Sequence, residues 1–275
     1  MTAVTSSTQR PAAIDRPVAV HTGPRVVLGD ALVVAGRNLR HLTRNPQLLV
    51  FATIQPVMFV LLFRYVFGGA IAVPNGSYVD YLMPGVFAQT VAFGAIATGV
   101  GLAEDLSKGL VDRFRSLPIA RSAVLAGRTL ADLVRNVGVV TLLVLVGMAV
   151  GFRVSNGVLP LLGGLALLLL FGFALSWIFA LVGLLTADAE SAQAAAFPLL
   201  FPLTFASSAF VPVQSMPGWL QTFASNQPVT VVVDAIRALV LGQPAGSKVL
   251  GALAWSVALL AVFAPLAVHR YRRTA

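Results

Sequence analysis

The chain contains no cysteine, which removes disulfides, thiol nucleophiles and zinc–thiolate sites together. It is also poor in charge. Only 11% of its 275 residues are Asp, Glu, Lys or Arg, against about 25% in a soluble domain. Its histidines, His21, His41 and His269, are scattered and show no HExxH spacing. A Walker A loop needs Gly-Lys before Ser or Thr so that the lysine reaches the β- and γ-phosphates. The only lysines here, Lys108 and Lys248, instead follow Ser107 and Ser247, so this chain hydrolyses no ATP by that route. A GxSxG nucleophile elbow is missing as well. What is abundant is apolar: 57% of residues are hydrophobic before 24 glycines are counted, and mean hydropathy is +0.87. A water-soluble globule and a disordered chain are both excluded. At about 20 apolar residues per crossing, the length accommodates several membrane spans.

Six apolar stretches predict those spans, at about residues 48–70, 83–103, 136–152, 158–186, 192–213 and 249–268. Cationic residues test the count. Fifteen of the nineteen Lys and Arg residues fall before the first span, between the second and third, or after the sixth. Arg153, Arg237 and Lys248 fall on the other side, and Arg64 lies inside the first span. The positive-inside rule then places both termini in the cytoplasm, which an even number of spans requires. Residues 1–24 are polar, carry three prolines and have no apolar h-region. They read as a disordered cytoplasmic tail and not as a signal peptide. Residues 269–275 form the cytoplasmic C-terminus.

Two apolar segments are not spans. Over residues 25–47, Leu28, Ala31, Leu32, Ala35, Leu39 and Leu42 share one helical face, while Arg37, Arg40 and Arg44 fall on the other. Such a helix lies in the membrane interface with its cations toward lipid phosphates or a partner. The other segment, residues 214–248, has a core from Val229 to Leu241 interrupted by Asp234 and Arg237. Thirteen residues are too few to cross the hydrocarbon, so a re-entrant or outer-interface helix is expected. Its two charges, three residues apart, can neutralise each other. Arg64, in the outer third of its span, is either a contact for an anionic substrate or lipid or a side chain snorkelling to the headgroups. Asn75-Gly76-Ser77 matches a glycosylation sequon and, in a bacterial chain, reads as chance.

The richest polar stretch runs from Glu104 to Arg121. Glu104 and Lys108 are at i, i+4, and Asp112 and Arg115 at i, i+3, spacings that support helix. Pro118 disfavours helix at Leu117, so the chain turns there. A second helix follows, with Arg128, Asp132 and Arg135 again at helical spacing. The elbow has an apolar tip, Leu117-Pro118-Ile119, ringed by Arg113, Arg115 and Arg121. Apolar anchors among fork-shaped cations suit docking into a groove on another protein. A basic loop touching only headgroups is the alternative from charge alone.

The run Asp112-Arg113-Phe114-Arg115-Ser116-Leu117-Pro118-Ile119, with Leu125-Ala126-Gly127-Arg128 and Asp132 after it, resembles the signature loop of ABC-2 type permeases, nearest the daunorubicin-resistance branch. Gln55-Pro56-Val57-Met58-Phe59 through Gly69 is similar to that branch's first span. Tyr78 to Gly85 resembles its entry to the second, and Phe210-Val211-Pro212 with Met216-Pro217-Gly218-Trp219-Leu220 its late outer segment. The match covers roughly residues 25–270 in order. The resemblance implies an all-α polytopic membrane protein of type V exporter architecture: an amphipathic connecting helix, six transmembrane helices, and re-entrant helices between the fifth and sixth. It implies that the 104–121 loop is the coupling helix for a cytoplasmic ABC ATPase, and that Arg64, Trp219, Asp234 and Arg237 border an outer gate or substrate. It further implies a dimer with a second copy or a paralogue, contact with membrane lipids, and outward movement of amphipathic drugs, lipids or lipid-linked glycans across a bacterial plasma membrane. ATP and magnesium would be bound by the partner ATPase and no cofactor by this chain, and nucleic acid is not an expected partner.

Two rival classes follow from composition. An ion-coupled secondary transporter needs acidic or histidine side chains inside its spans, and all ten acidic residues fall outside the expected span cores. A membrane-embedded acyltransferase needs clustered His/Asp or facing carboxylates, and none is evident on the expected spans.

Overall fold

The computed structural model describes residues 29, 32–36, 46–68, 71, 73, 77–108 and 121–274. Among them the regular structure is helical throughout, with eight α-helices of nine residues or more. In chain order these are α1 (Pro46–Leu62), extended by a π-helical turn at Phe63–Phe67, α2 (Tyr78–Ser107), α3 (Arg121–Ala149), α4 (Val158–Leu185), α5 (Ala189–Phe205), α6 (Gly218–Asn226), α7 (Pro228–Leu241) and α8 (Gly246–Thr274). Four helices are long and apolar enough to cross a membrane: Tyr78–Ser107, Leu125–Ala149, Val158–Leu185 and Gly246–Tyr271. They overlap the expected second, third, fourth and sixth spans, the third helix stopping at Ala149 and the fourth at Leu185, short of the expected 152 and 186. The expected first span coincides with the shorter apolar helix Thr53–Phe67. Most of the expected interfacial helix, with Arg37, Arg40 and Arg44, lies outside the described residues; within it, residues 32–36 are helical.

Two other helix boundaries differ from the expected spans, each for a local reason. The third helix begins at Arg121, well before the expected residue 136, because nothing between Pro118 and Asn136 breaks helical hydrogen bonding. The fifth ends at Phe205 and not at 213. Pro198 and Pro202 each lack an N–H, and the chain unwinds over 206–212 before a single 3₁₀ turn at Val213–Ser215. Caps set other ends. Ser77 Oγ accepts from the Asp80 N–H at the start of α2, and Asp188 Oδ1 accepts from the Ser191 N–H, 2.7 Å away, at the start of α5. Gly242, at φ 71°, closes α7 in the left-handed region that glycine enters without penalty.

The core is built around α4, which packs against α2, α3, α7 and α8. Its contact with α2 is a backbone crossing: a Cβ on Gly99 would lie 2.3 Å from the Phe179 carbonyl oxygen, and one on Gly183 2.2 Å from that of Gly99. Small residues at helix interfaces are how membrane helices gain close packing without a hydrophobic drive. Leu145, Leu162, Leu185, Leu250 and Val257 stay exposed, which suits a surface facing lipid.

Candidate functional site

Three polar clusters interrupt this apolar frame. The first ties α2 to α3 at the end that borders residues 109–120. Arg128 pairs with Asp105 and lies across Gly101, where a Cβ would collide with its guanidinium. One turn further, Thr98 donates to Asp132, which pairs with Arg135 at 3.1 Å. Arg135 Nη2 donates to the Gly94 carbonyl at 2.7 Å. Three cross-ties over about three turns of α2 and two of α3 make one stiff hairpin. Glu104 pairs with Lys108 at 2.5 Å on the exposed side. Glutamate there holds the lysine ammonium above its ordinary pKa, chiefly through their hydrogen bond.

The second cluster holds the unwound segment 206–212. Backbone removed from a helix inside an apolar frame must find partners within the protein. Tyr78 donates its hydroxyl to the Phe210 carbonyl at 3.1 Å, and Tyr81 to that of Ser208 at 3.0 Å. Arg237, on α7, is buried, and each of its three nitrogens has a partner. Nη1 meets Asp234 at 2.6 Å, Nη2 donates to the carbonyls of Ser208 (2.8 Å) and Tyr81 (3.0 Å), and Nε donates to Tyr81 (3.2 Å). The guanidinium also sits 3.7 Å from the centre of the Tyr81 ring. Gln227 ties the end of α5 to the start of α7. Its Oε1 accepts from the Val229 N–H, and its Nε2 donates to the Leu203 carbonyl at 2.7 Å. Asp234, Lys248 and Gln243 border a cleft here.

The third cluster is a cavity of about 190 Å³ at mid-height between α1, α2 and α3. Gln55, Gln89, Thr90, Arg135 and Asn136 supply its polar lining, and Phe59 and Phe93 its aromatic walls.

A sequence profile of the ABC-2 type transporter matches residues 30–241. Over 227 residues the chain is 38% identical to the daunorubicin resistance ABC transporter permease protein DrrB1 of Streptomyces coeruleorubidus, covering 82% of this chain and 80% of that one. The chain belongs to the ABC-2 type transporter family. This ABC-2 permease is also 28% identical over 251 residues to the probable doxorubicin resistance ABC transporter permease protein DrrC of Mycobacterium tuberculosis, with 90% of each chain covered. A putative transport permease, ycf38 of Cyanophora paradoxa, is 26% identical over 214 residues, covering 76% of this chain and 73% of its own.

Of the site residues expected in this ABC-2 permease, Asp112, Arg113, Phe114, Arg115, Ser116, Leu117, Pro118 and Ile119 lie outside the described residues, as does the side chain of Arg121. Asp234 and Arg237 form the expected i, i+3 pair, set against Tyr81 and the unwound segment. Trp219, on α6, is 78% exposed and distant in the chain from that pair. Arg64 falls in the π-helical turn, with its Nε buried and unpartnered among the described residues. Sequence reasoning missed Tyr78, Tyr81, Ser208 and Gln227 because their work is to satisfy backbone freed by a break that no periodicity reveals. Gln89 and Asn136 did carry a signal: an amide inside an apolar span is costly unless it has a task.

Proposed function

We propose that this chain is the membrane subunit of an ATP-driven exporter, with six spans, both termini in the cytoplasm of a bacterium and a re-entrant α6–α7 segment on the outer side. In this reading α1 with its π turn is the first span, and α5, shortened by its prolines and continued by the unwound segment, is the fifth. The amphipathic drugs named for the relatives are the substrate class we favour. A separate cytoplasmic ABC ATPase binds ATP and magnesium, and the permease dimerises with a second copy or a paralogue.

The observation that carries the reading is the α2–α3 hairpin. Its ties, the half-buried Arg128 with Asp105 and the buried Asp132 with Arg135 and Thr98, make a stiff mount for residues 109–120, which resemble the family's coupling loop. A loop that only met headgroups would need no such mount. The same pairing weighs against ion coupling: Asp132, a carboxylate inside the apolar helix, is engaged by Arg135 and Thr98.

The test compares Leu117→Asp with Arg121→Ala in the reconstituted permease–ATPase complex at matched membrane levels. Removing an apolar anchor from a buried contact costs about 2 kcal/mol or more, and an exposed rim charge less. Leu117→Asp should therefore abolish substrate-stimulated ATP hydrolysis while Arg121→Ala only weakens it. Full stimulated turnover in Leu117→Asp would mean that this loop is not the coupling element.

A further inference from the structure

The cleft beside Asp234 holds two opposite charges that do not meet. Tyr81, Ser208, Asp234, Arg237, Gln243 and Lys248 supply its polar lining, in a volume of about 200 Å³. Asp234 uses one oxygen only: Oδ1 accepts from Arg237 Nη1 at 2.6 Å and from Ser208 Oγ at 2.7 Å, and Oδ2 accepts nothing among the described residues. Lys248 is exposed and forms no ion pair among the described residues. Helix stability does not account for its place, because the first turn of α8 is the positive end of the helix dipole and contains no acidic residue. The Gln243 side-chain amide is equally unengaged there. Arg237 already compensates Asp234, so the cleft has one surplus positive charge, that of Lys248. Its depth follows from α8, which exposes Leu250, Leu253 and Val257. The apolar surface thus begins within one turn of Lys248, and the ammonium stands at headgroup level.

We infer that this cleft binds the headgroup of a phospholipid whose phosphodiester carries free hydroxyls, of the glycerol type. The phosphate meets Lys248, the one uncompensated charge. One hydroxyl donates to Asp234 Oδ2, and the Gln243 amide, which both donates and accepts, takes the other. A choline head lacks the donor that the free carboxylate oxygen calls for. An ethanolamine head supplies a donor but adds a positive charge to a cleft that already has a surplus. A lysine that merely flanks a span would meet any anionic headgroup; a carboxylate oxygen and an amide converging on the same cleft ask for hydroxyls as well. Volume limits the guest. A cavity of about 150 Å³ holds benzene, so about 200 Å³ suits a phosphate and a short diol and is too small for a drug-sized molecule. Asp234 also holds Arg237, and Arg237 the Ser208 carbonyl, so a lipid on Oδ2 ties the membrane surface to the unwound segment.

The site rests on the proposed orientation only for its place in the outer leaflet. The full chain in detergent micelles is titrated with phosphatidylglycerol, with phosphatidylethanol, which has the same charge and no hydroxyl, and with phosphatidylcholine, and bound lipid is counted by native mass spectrometry. One saturable phosphatidylglycerol site is expected, at least about tenfold tighter than for the other two, because a site that hydrogen-bonds a hydroxyl rejects the analogue lacking it. Lys248→Gln should weaken both anionic lipids about tenfold, the loss of a charge-assisted contact, and Gln243→Leu should weaken phosphatidylglycerol alone, about threefold. Neither side chain is buried, so folding is not at stake. Absence of saturable binding, equal affinity for phosphatidylglycerol and phosphatidylethanol, or an unchanged preference in Gln243→Leu overturns the inference and leaves only a basic residue at a membrane surface. Glycerophosphoglycerol, the same head without chains, should compete at least about a hundredfold more weakly, since the chains lie in the bilayer beside α8; competition at equal concentration would assign the cleft to a soluble polyol phosphate and overturn the lipid. The export reading is tested apart from this: a chain that fails every lipid titration can still drive ATP-dependent export with its ATPase, and one that passes them can fail to.

Discussion

Replacing Arg237 tests how much of the anchorage of the unwound segment rests on one of the side chains that hold it. In Arg237→Ala the segment 206–212 loses the donor to Ser208, Tyr81 loses two hydrogen bonds and the cation above its ring, and Asp234 loses its counter-charge. Hydrogen bonds from a charged donor contribute about 1.5–3 kcal/mol each, and a desolvated cation–π contact about 2. Those values do not add for one side chain with shared partners. Stranding one member of a buried ion pair typically costs about 3–5 kcal/mol. Two observations place this pair at the low end: the Ser208 carbonyl keeps the Tyr81 hydroxyl, and the Asp234 side chain is 36% exposed and can rehydrate. A loss of about 3 kcal/mol follows. Arg237→Lys retains the charge but has no planar fork to reach two carbonyls and a carboxylate at once, so it should recover less than half. The assay is reversible unfolding in mixed micelles, read by Trp fluorescence. If Arg237→Ala unfolds within about 0.5 kcal/mol of the native chain, or Lys restores it fully, the guanidinium is not the fastener we describe.

Other substitutions probe separate parts of the frame. Gly99→Ala should destabilise by about 1–3 kcal/mol, the usual cost of overpacking, because its Cβ meets the Phe179 carbonyl; Gly163→Ala on α4, with nothing within 4 Å, should be neutral or better, and equal losses in the two would contradict the crossing. The Ser191 amide hydrogen bond holds the Asp188 carboxyl below the usual carboxylate range. A depressed folded pKa means that this cap stabilises above the unfolded value of about 4 and is lost as pH falls through the folded one; the protection of the first α5 amides, taken relative to the intrinsic exchange rate at each pH, should therefore fall in acid, and in Asp188→Asn it should not. In a chain without native cysteine, single cysteines at Ser77, Ser122 and Ser247 should react with an impermeant thiol reagent in intact cells at the first and third positions only; labelling at 122 from outside would invert the proposed orientation.

How much of this was legible in the sequence depended on whether the signal was local. Long apolar runs marked α2, α4 and α8 because each has the 20 or so uninterrupted residues a crossing needs. The i, i+3 pairing of Asp234 and Arg237 was visible, since helical periodicity alone brings those side chains together. What Arg237 reaches was not: Tyr81 lies 156 positions away in the chain, and no spacing rule links them. The end of the fifth helix differed from the expected span because the run from Ala192 to Val213 is uncharged and mostly apolar, and hydropathy does not register that Pro198 and Pro202 each lack a hydrogen-bond donor. The ties at Asp105–Arg128 and Asp132–Thr98 needed the pairing of two helices, which the sequence states only as charges at compatible spacing.

The glycine crossing has a mechanical meaning. With backbone against backbone at Gly99 and Gly183, α2 has no side-chain cushion at that point, so the contact acts as a fulcrum. At 1.5 Å per residue, about 12 Å of α2 lies between Gly99 and Ser107, and about 21 Å between Gly99 and Gly85, whose Cα faces the Ala209 carbonyl of the unwound segment. A rigid α2 tilting about Gly99 therefore has arms of unequal length. A push of 1 Å at the end nearest residues 109–120 would swing the Gly85 end through nearly 2 Å in the opposite direction, by this arm ratio. Spin-label distances from the two ends to a fixed point on α4 during turnover would register that ratio, and equal displacements would show that the helix slides instead. Such a lever would favour reach over force: a small stroke at the end of α2 nearest residues 109–120 would become a larger one at the Gly85 end.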